Sequence, residues 1–529
     1  MTRRRLYIIS DLHLGGAAPS GDHPGFQICT PEMRGHLAAF IRAITPPAPD
    51  GADIELVIDG DFVDFLAESS PGEKGEPVFS ALRTDPVAAL AALRALIAHI
   101  DGSVGPEARV FDALKGFVRA GRRLTVLLGN HDIELALPPV RRALTELLTG
   151  GAPARVEFLL NGEAYTAGPA LIEHGNRYDG WNAVHYDGLR ALCSKISRGE
   201  PGRPFPVQPG SRLVVEVMNP LKQRYRFIDL LKPETQAAIP LLAALEPDVL
   251  VKLRPIVSAA EEALRATSVD VLWKTRDVVP GNVSALEGLD FGVPGAAPTA
   301  PAAETVRATS DLDETRALLE EAEGAWAPPP SEDGDGGVSF GALESLDSAK
   351  ATLGDWLDSA RSLWRSLAGE GIDTLRLRAV RAAFLRQREA IHGTFDVAVE
   401  HARYLDAARM LAGDDVRVVV FGHTHLPKSI SLGERAHYLN TGTWVPTMAL
   451  DARWYDPATP EDEALAELKR FLADLKENRV EGWLRRKGHC AMVEFETTDD
   501  GGWKGEARVA LCAWDDGGLT TVSERVLHA

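Results

Sequence analysis

The sequence predicts an α/β layered protein with two sheets, interrupted by a large, mostly helical insertion. Three observations predict it. Short apolar, β-branched runs end repeatedly on Asp, Asn or His. Helix-like stretches separate the early runs, the alternation expected of a layered α/β domain. After about residue 190 this alternation yields to helical spacing, and it resumes near Arg417.

Residues 6–9 form the first buried-strand signal and lead into Asp11. Residues 54–58 form the second, ending at Gly60-Asp61, and residues 124–128 the third, ending at Gly129-Asn130. Asp85 and Pro86 open a helix as N-cap and first-turn proline, and its apolar pattern runs to Ile100. Residues 106–120 read as another helix, closed by Gly121 at the C-cap position. Residues 201–210 are rich in Pro and Gly, and 212–278 carry Leu, Ile and Val at helical spacing. Residues 279–340 are poor in large apolar side chains and rich in Gly, Pro, Ala and acids, the composition of a flexible segment. Residues 342–412 read as helical, and 418–421 as a strand ending at Gly422-His423. In the tail, 436–439, 490–495 and 507–513 read as strands, with an amphipathic helix over 460–477. The late strands complete a second sheet. The chain thus divides into a first α/β part, 1–190, a helical insertion or cap, 191–405, with its flexible 279–340 stretch, and a second α/β part, 406–529.

The chain is long enough for about two or three domains. Its formal net charge of -19 opposes broad nucleic-acid binding, which relies on Lys and Arg. Arg3, Arg4 and Arg5 provide one local contact point for an anionic membrane surface, although a solvated strand end explains them more simply. Cys29, Cys193, Cys490 and Cys512 are far apart and form no C-x-x-C pair, so they read as reduced thiols. The apolar stretch before Asp11 is too short for a signal peptide, and no stretch reaches a membrane span. The expected location is cytoplasmic. The sequence leaves the oligomeric state open.

Five short runs carry the chemistry: Asp11-Leu12-His13, Gly60-Asp61-Phe62-Val63-Asp64, Gly129-Asn130-His131-Asp132, His174-Gly175 and Gly422-His423-Thr424-His425. Carboxylate and amide oxygens mixed with imidazoles suit Mn²⁺, Fe or Zn²⁺. An isolated Asp at a strand end is most often a turn or cap residue. Five such runs in one chain, four of them at or just after an apolar run, point to a site for two divalent ions, Mn²⁺ first, with Fe or Zn²⁺ as alternatives. Such pairs of ions recur in phosphate-ester hydrolysis, where they lower the pKa of a bridging water and neutralise phosphoryl charge. Ser10 and Thr424 have no general base at suitable spacing, so a nucleophilic hydroxyl is disfavoured.

Together these runs resemble the calcineurin-like metallophosphoesterase superfamily, over residues 6–182 and 416–445. The resemblance implies a two-sheet αββα metallophosphoesterase sandwich. It implies that Asp11, His13 and His425 bind one ion, that Asn130, His174 and His423 bind the other, and that Asp61 bridges them. It implies that His131 protonates the leaving group, oriented by Asp64. Arg177, Asn182 and His23 are candidate substrate contacts, the first two just after His174 and the third in the loop after the first motif. The other eight histidines read as surface or core residues.

The expected function is therefore a dinuclear metal-dependent phosphoesterase acting on a phosphomonoester, phosphodiester or nucleotide. The S-D-L-H-L-G, G-D-x-x-D and E-H-G-x-x-x-D runs are most similar to the branch containing UDP-2,3-diacylglucosamine pyrophosphohydrolase, which makes a nucleotide-lipid pyrophosphohydrolase the first alternative. His131 stands where that branch carries an arginine, and the insertion here is far larger. A metal-dependent nuclease and a non-catalytic scaffold are further alternatives. The acidity opposes the nuclease, and the complete set of ligand types opposes the scaffold.

Overall fold

Alternation within the first strand decides what lies on each side of it. Tyr7 and Ile9 join a cluster that contains helices, whereas Leu6 and Ile8 join a second cluster shared with another sheet. The computed structural model describes residues 2–72, 75–179, 181–202, 205–226, 228–232, 237, 241, 242, 244, 245, 374–386, 388–498 and 502–529. The chain is a mixed α/β protein. The strands of its two main sheets are, in order, β1 (Thr2–Ile9), β2 (Asp53–Asp59), β3 (Arg123–Leu127), β4 (Val156–Leu159), β5 (Tyr165–Ala167), β6 (Ala170–Ile172), β7 (Val418–Phe421), β8 (Pro427–Ser431), β9 (His437–Thr441), β10 (Gly488–Thr497), β11 (Trp503–Asp515) and β12 (Gly518–His528).

The seven-stranded sheet has the order β12-β11-β10-β1-β2-β3-β4. Its β1 to β4 half is parallel, and β10 to β12 run antiparallel. The five-stranded sheet has the order β8-β9-β7-β6-β5, with β6, β7 and β9 parallel. Leu6, Ile8, Val57 and Val493 of the first sheet pack on Ile172, Val418, Val420 and Leu439 of the second. The other face of the first sheet is covered by α1 (Pro31–Ile44), α2 (Pro86–Gly102), α3 (Val110–Arg119) and α4 (Pro138–Thr149). Two of these helices start as their residues dictate. Thr30 and Asp85 accept the Met33 and Ala88 N–H groups at 3.3 Å and 2.9 Å, each ahead of a first-turn proline. The outer face of the second sheet packs Val419, Phe421 and Tyr438 on Tyr404, Ala407 and Ala408 of a further helix, Ala402–Leu411.

Strands from both halves of the chain are interleaved. β1 pairs with β10, and β6 pairs with β7 from Ala170↔Val418 to Ile172↔Val420. The described flanks of 191–405 join the helix-side core through Val217, Leu221, Ile228, Leu231, Val380 and Phe384. Leu231–Lys232 pairs with Thr447–Ala449. Residues 246–373, including the expected flexible segment at 279–340, lie outside the described residues. Within 212–245 the helical run reaches Lys222, the chain then passes through the short Leu231–Lys232 strand, and residues 237, 241, 242, 244 and 245 are helical again. The expected helix at 106–120 is broken at Arg109, which is extended (φ -77, ψ 107) and separates a 3-10 turn from α3. Arg4 pairs with buried Glu55, and Arg5 pairs with Asp50 at 2.6 Å, so these two cations are engaged within the protein. Among the described residues no helix is long and apolar enough to cross a membrane.

Candidate metal centre

Five parallel strands end on one neighbourhood. β1 runs into Asp11 and His13, β2 into Asp61, β3 into Asn130 and His131, β6 into His174, and β7 into His423 and His425. Ends of parallel strands are where layered α/β proteins gather their polar groups. The backbone there is unusual. Asp11, His13, Asp61, His423 and His425 have φ of 52°, 41°, 48°, 71° and 60°, and only Asn478 among the other described non-glycine residues shares this region. Each such residue costs about 1–3 kcal/mol and persists where packing over-determines it, commonly at functional sites. Glycine is required beside them. A Cβ on Gly129 would lie 2.1 Å from Asp61 Oδ1, and one on Gly60 (φ 79°) would lie 2.6 Å from His174 Cγ.

The ligating atoms fall into overlapping groups. Those of Asp11, His13 and His425 lie within 4.8 Å of one another, as do those of Asp11, Asp61 and His174 and those of His13, Asp61 and His131. Asp11 Oδ2 accepts the Ser10 hydroxyl and the His423 N–H (2.9 Å), while Asp11 Oδ1 faces His425 Nε2 at 3.2 Å. Asp61 Oδ1 accepts the His131 N–H at 2.8 Å. Asp61 Oδ2 stands 3.3 Å from His174 Nε2 and 3.7 Å from His13 Nε2, so one oxygen faces a histidine of each proposed set.

Three of the four histidines assigned as ligands are held by their far nitrogen. His13 Nδ1 meets Asp64 Oδ2 at 3.1 Å, His174 Nδ1 donates to the Asp59 carbonyl at 2.7 Å, and His423 Nε2 meets Asp179 Oδ2 at 2.9 Å. Such partners select the tautomer and aim the remaining lone pair, as they do around bound metals. His425 is the exception, with Nδ1 buried and unpartnered. His131 Nδ1 lies 3.1 Å from Asp64 Oδ1.

The charges favour a cation. Burial pushes the Asp61 carboxyl upward, but His174 and His131 more than offset this and hold it well below its ordinary value. Burial pushes His174 and His131 downward. The neighbouring carboxylates, Asp61 for His174 and both Asp64 and Asp61 for His131, outweigh it and raise them to about 10 and about 9. Burial and Lys232 take His425 down to about 4. Asp11 Oδ1, Asn130 Oδ1 and His174 Nε2 are buried and lack a hydrogen bond of acceptable geometry. Buried polar atoms seldom go unsatisfied, and here the set comprises two hard oxygens and an imidazole nitrogen, a donor set that fits Mn²⁺, Fe or Zn²⁺.

The structure brings Asp11, His13, Asp61, Asp64, His131, His174 and His425 together directly. Asn130 and His423 stand at the edge of this group and are linked to each other through Asn182 and Asp179: Asn130 Nδ2 donates to Asn182 Oδ1 at 3.4 Å, and Asp179 Oδ2 takes Asn182 Nδ2 and His423 Nε2. Arg177 is turned aside, bonded to the Gly162 carbonyl and paired with Glu173 at 3.1 Å. His23 sits in a turn whose backbone pairs with Ser20. Sequence reasoning gave no role to Asp59, to Asp132 at the end of the third run, or to Asp179 at the end of the E-H-G-x-x-x-D run. Asp132 accepts the Phe62 and Gly129 N–H groups at 2.8 Å and 2.7 Å, tying the Asp61 loop to the Asn130 loop, and burial together with Asp61 pushes its carboxyl to about 8. The only local signal for it is its place after Asn130-His131. No family model matches the chain, and no curated protein matches it.

Proposed function

We propose that the protein is a divalent-metal-dependent hydrolase of phosphate esters, built as a two-sheet αββα metallophosphoesterase sandwich. One observation carries the reading. Strand ends from both sheets place Asp61 Oδ2 between His13 and His174, with ligating atoms of Asp11, Asp61 and His174 within 4.8 Å of one another. Asp11, His13 and His425 would hold one ion, Asn130, His174 and His423 the other, and Asp61 both. When bound, two such ions activate water and neutralise phosphoryl charge.

The protein's own groups supply the rest. Asp64 and Asp61 raise His131 above its ordinary value, which favours the protonated form that a departing alkoxide or phosphate oxygen needs. Asp64 meets its Nδ1 at 3.1 Å, which turns Nε2 outward and favours the imidazolium form that donates there. The two sheets and the covering helices bury Asp11, Asp61 and Asp64, which strengthens each electrostatic contact there.

The test is chelation, reloading with Mn²⁺, and assay against aryl phosphomonoesters, aryl phosphodiesters, nucleotide pyrophosphates and an oligonucleotide. The expected result is metal-dependent hydrolysis of at least one small-molecule class, with two ions per chain by elemental analysis. Failure of fully loaded protein to hydrolyse any class would overturn the enzymatic reading.

A further inference from the structure

Two chains of hydrogen bonds meet at Asp179, a buried residue just after the His174 motif. Its Oδ2 takes His423 Nε2 at 2.9 Å and Asn182 Nδ2 at 2.7 Å. Its Oδ1 takes the Trp181 N–H at 3.0 Å, and Arg403 Nη1 stands 4.0 Å away. Asn182 Oδ1 in turn accepts Asn130 Nδ2 at 3.4 Å. The Asn182 carbonyl is itself pinned by Asn176 Nδ2 at 2.9 Å.

These contacts have directional consequences. An imidazole that donates through Nε2 presents its lone pair at Nδ1. A carboxamide whose NH₂ is captured must turn its oxygen the other way. Asn130 Oδ1 is the buried oxygen left without a partner. One carboxylate therefore sets the lone-pair direction of two residues that are far apart in sequence. His174 is aimed separately by the Asp59 carbonyl, and His13 by Asp64.

We propose that Asp179 is the positioning residue for the second cation, holding His423 directly and Asn130 through Asn182. The proposal rests on the two-ion reading above. It assigns Asp179 no contact with substrate and no part in holding the first ion.

The test is Mn²⁺ titration of the chelated full-length protein by calorimetry. Electron paramagnetic resonance, which separates paired from isolated ions, is run in parallel, and circular dichroism melts of each apoprotein control for folding. Asp179→Ala should weaken the second ion by ~10–100-fold and leave the first unchanged, so that isolated Mn²⁺ signals replace the coupled one. Asp179→Asn keeps an acceptor without the charge and should recover part of the loss. Asn182→Ala should weaken the second ion less than Asp179→Ala, and it carries the test if Asp179→Ala does not fold. Fewer than two ions on the wild-type protein would overturn the two-ion reading itself. Two ions on the wild type, with both affinities unchanged or both lowered equally in the folded variants, would overturn the positioning role alone.

Discussion

Asp64 holds two imidazoles at once, His13 Nδ1 on Oδ2 and His131 Nδ1 on Oδ1, each at 3.1 Å. One carboxylate thereby couples a proposed ligand of the first ion to the proposed proton donor. An amide in its place keeps one acceptor and turns an NH₂ toward the other ring N–H, so one imidazole must move. His131→Asn should slow an alkyl leaving group by ~10²–10⁴-fold and a nitrophenolate much less. Asp64→Asn should slow both and also lower metal content. Paired rates on the two substrates, with elemental analysis, check this. Equal losses on both substrates for His131→Asn at full metal content would mean that His131 acts in binding.

Asp61→Asn should be the most damaging single substitution in the cluster. Its Oδ2 faces both His13 and His174. Both ion affinities should fall, and by more than the ~10–100-fold typical of losing an orienting partner. A titration in which only one affinity moves would contradict its bridging position.

The chelated protein should lose stability as pH rises. His131 and His174 have folded values of about 9 and about 10 against an ordinary 6.5. Folding therefore strengthens proton binding. The stability they contribute is fully present below pH 6.5 and is lost as pH rises through about 9 and about 10. Melting temperatures of apoprotein should decline across this window. Metal binding should release protons within it, because ligating imidazoles are neutral. A flat apoprotein profile between pH 6.5 and 10 would contradict these shifts.

Two glycine substitutions should separate site from scaffold. A Cβ on Gly129 would sit 2.1 Å from Asp61 Oδ1 and 2.3 Å from Asp61 N. Gly129→Ala should displace that carboxylate, and a shift of ~1 Å in a reacting group can cost ~10²-fold in rate. Gly116 lies within α3, and a Cβ there would meet nothing within 4 Å. Gly116→Ala should leave activity intact and stabilise by about 0.5–1 kcal/mol. Activity assays and denaturant titrations of both variants check the contrast.

The residues that form the cluster are legible in sequence because four of the five runs that carry them sit at or just after a short apolar run, a purely local pattern. The roles of Asp132 and Asp179 are not, because the partners that define them are remote: Asp132 accepts the Phe62 N–H, and Asp179 holds His423. Arg177 has partners that its local sequence does not single out. A cation near a ligand suggests an anion contact, and in the structure Glu173, four residues earlier, pairs with it. β12 is missed because Leu519, Val522 and Val526 are exposed, so its pattern shows no apolar face. The break at Arg109 is missed because Pro106 also suits a helix start. The coarse α/β layering survives these errors because the β1, β2, β3 and β7 runs are apolar enough to be read without their neighbours.

The pairing of β6 with β7 has a consequence for how the protein is made. When Ile172 leaves the ribosome, its partner Val420 has yet to be synthesised. At ~5–20 residues per second the wait is on the order of 10–50 s. Until then β6 presents an open edge, and His423 and His425 do not exist to complete the cluster. A nascent chain halted before residue 418 would carry Asp11, Asp61, Asn130 and His174 on incomplete sheets, and the second sheet would lack its central strand. Completion of the candidate cluster is thus postponed until residue 425 has been made, and a chaperone that shields strand edges would have its longest task here.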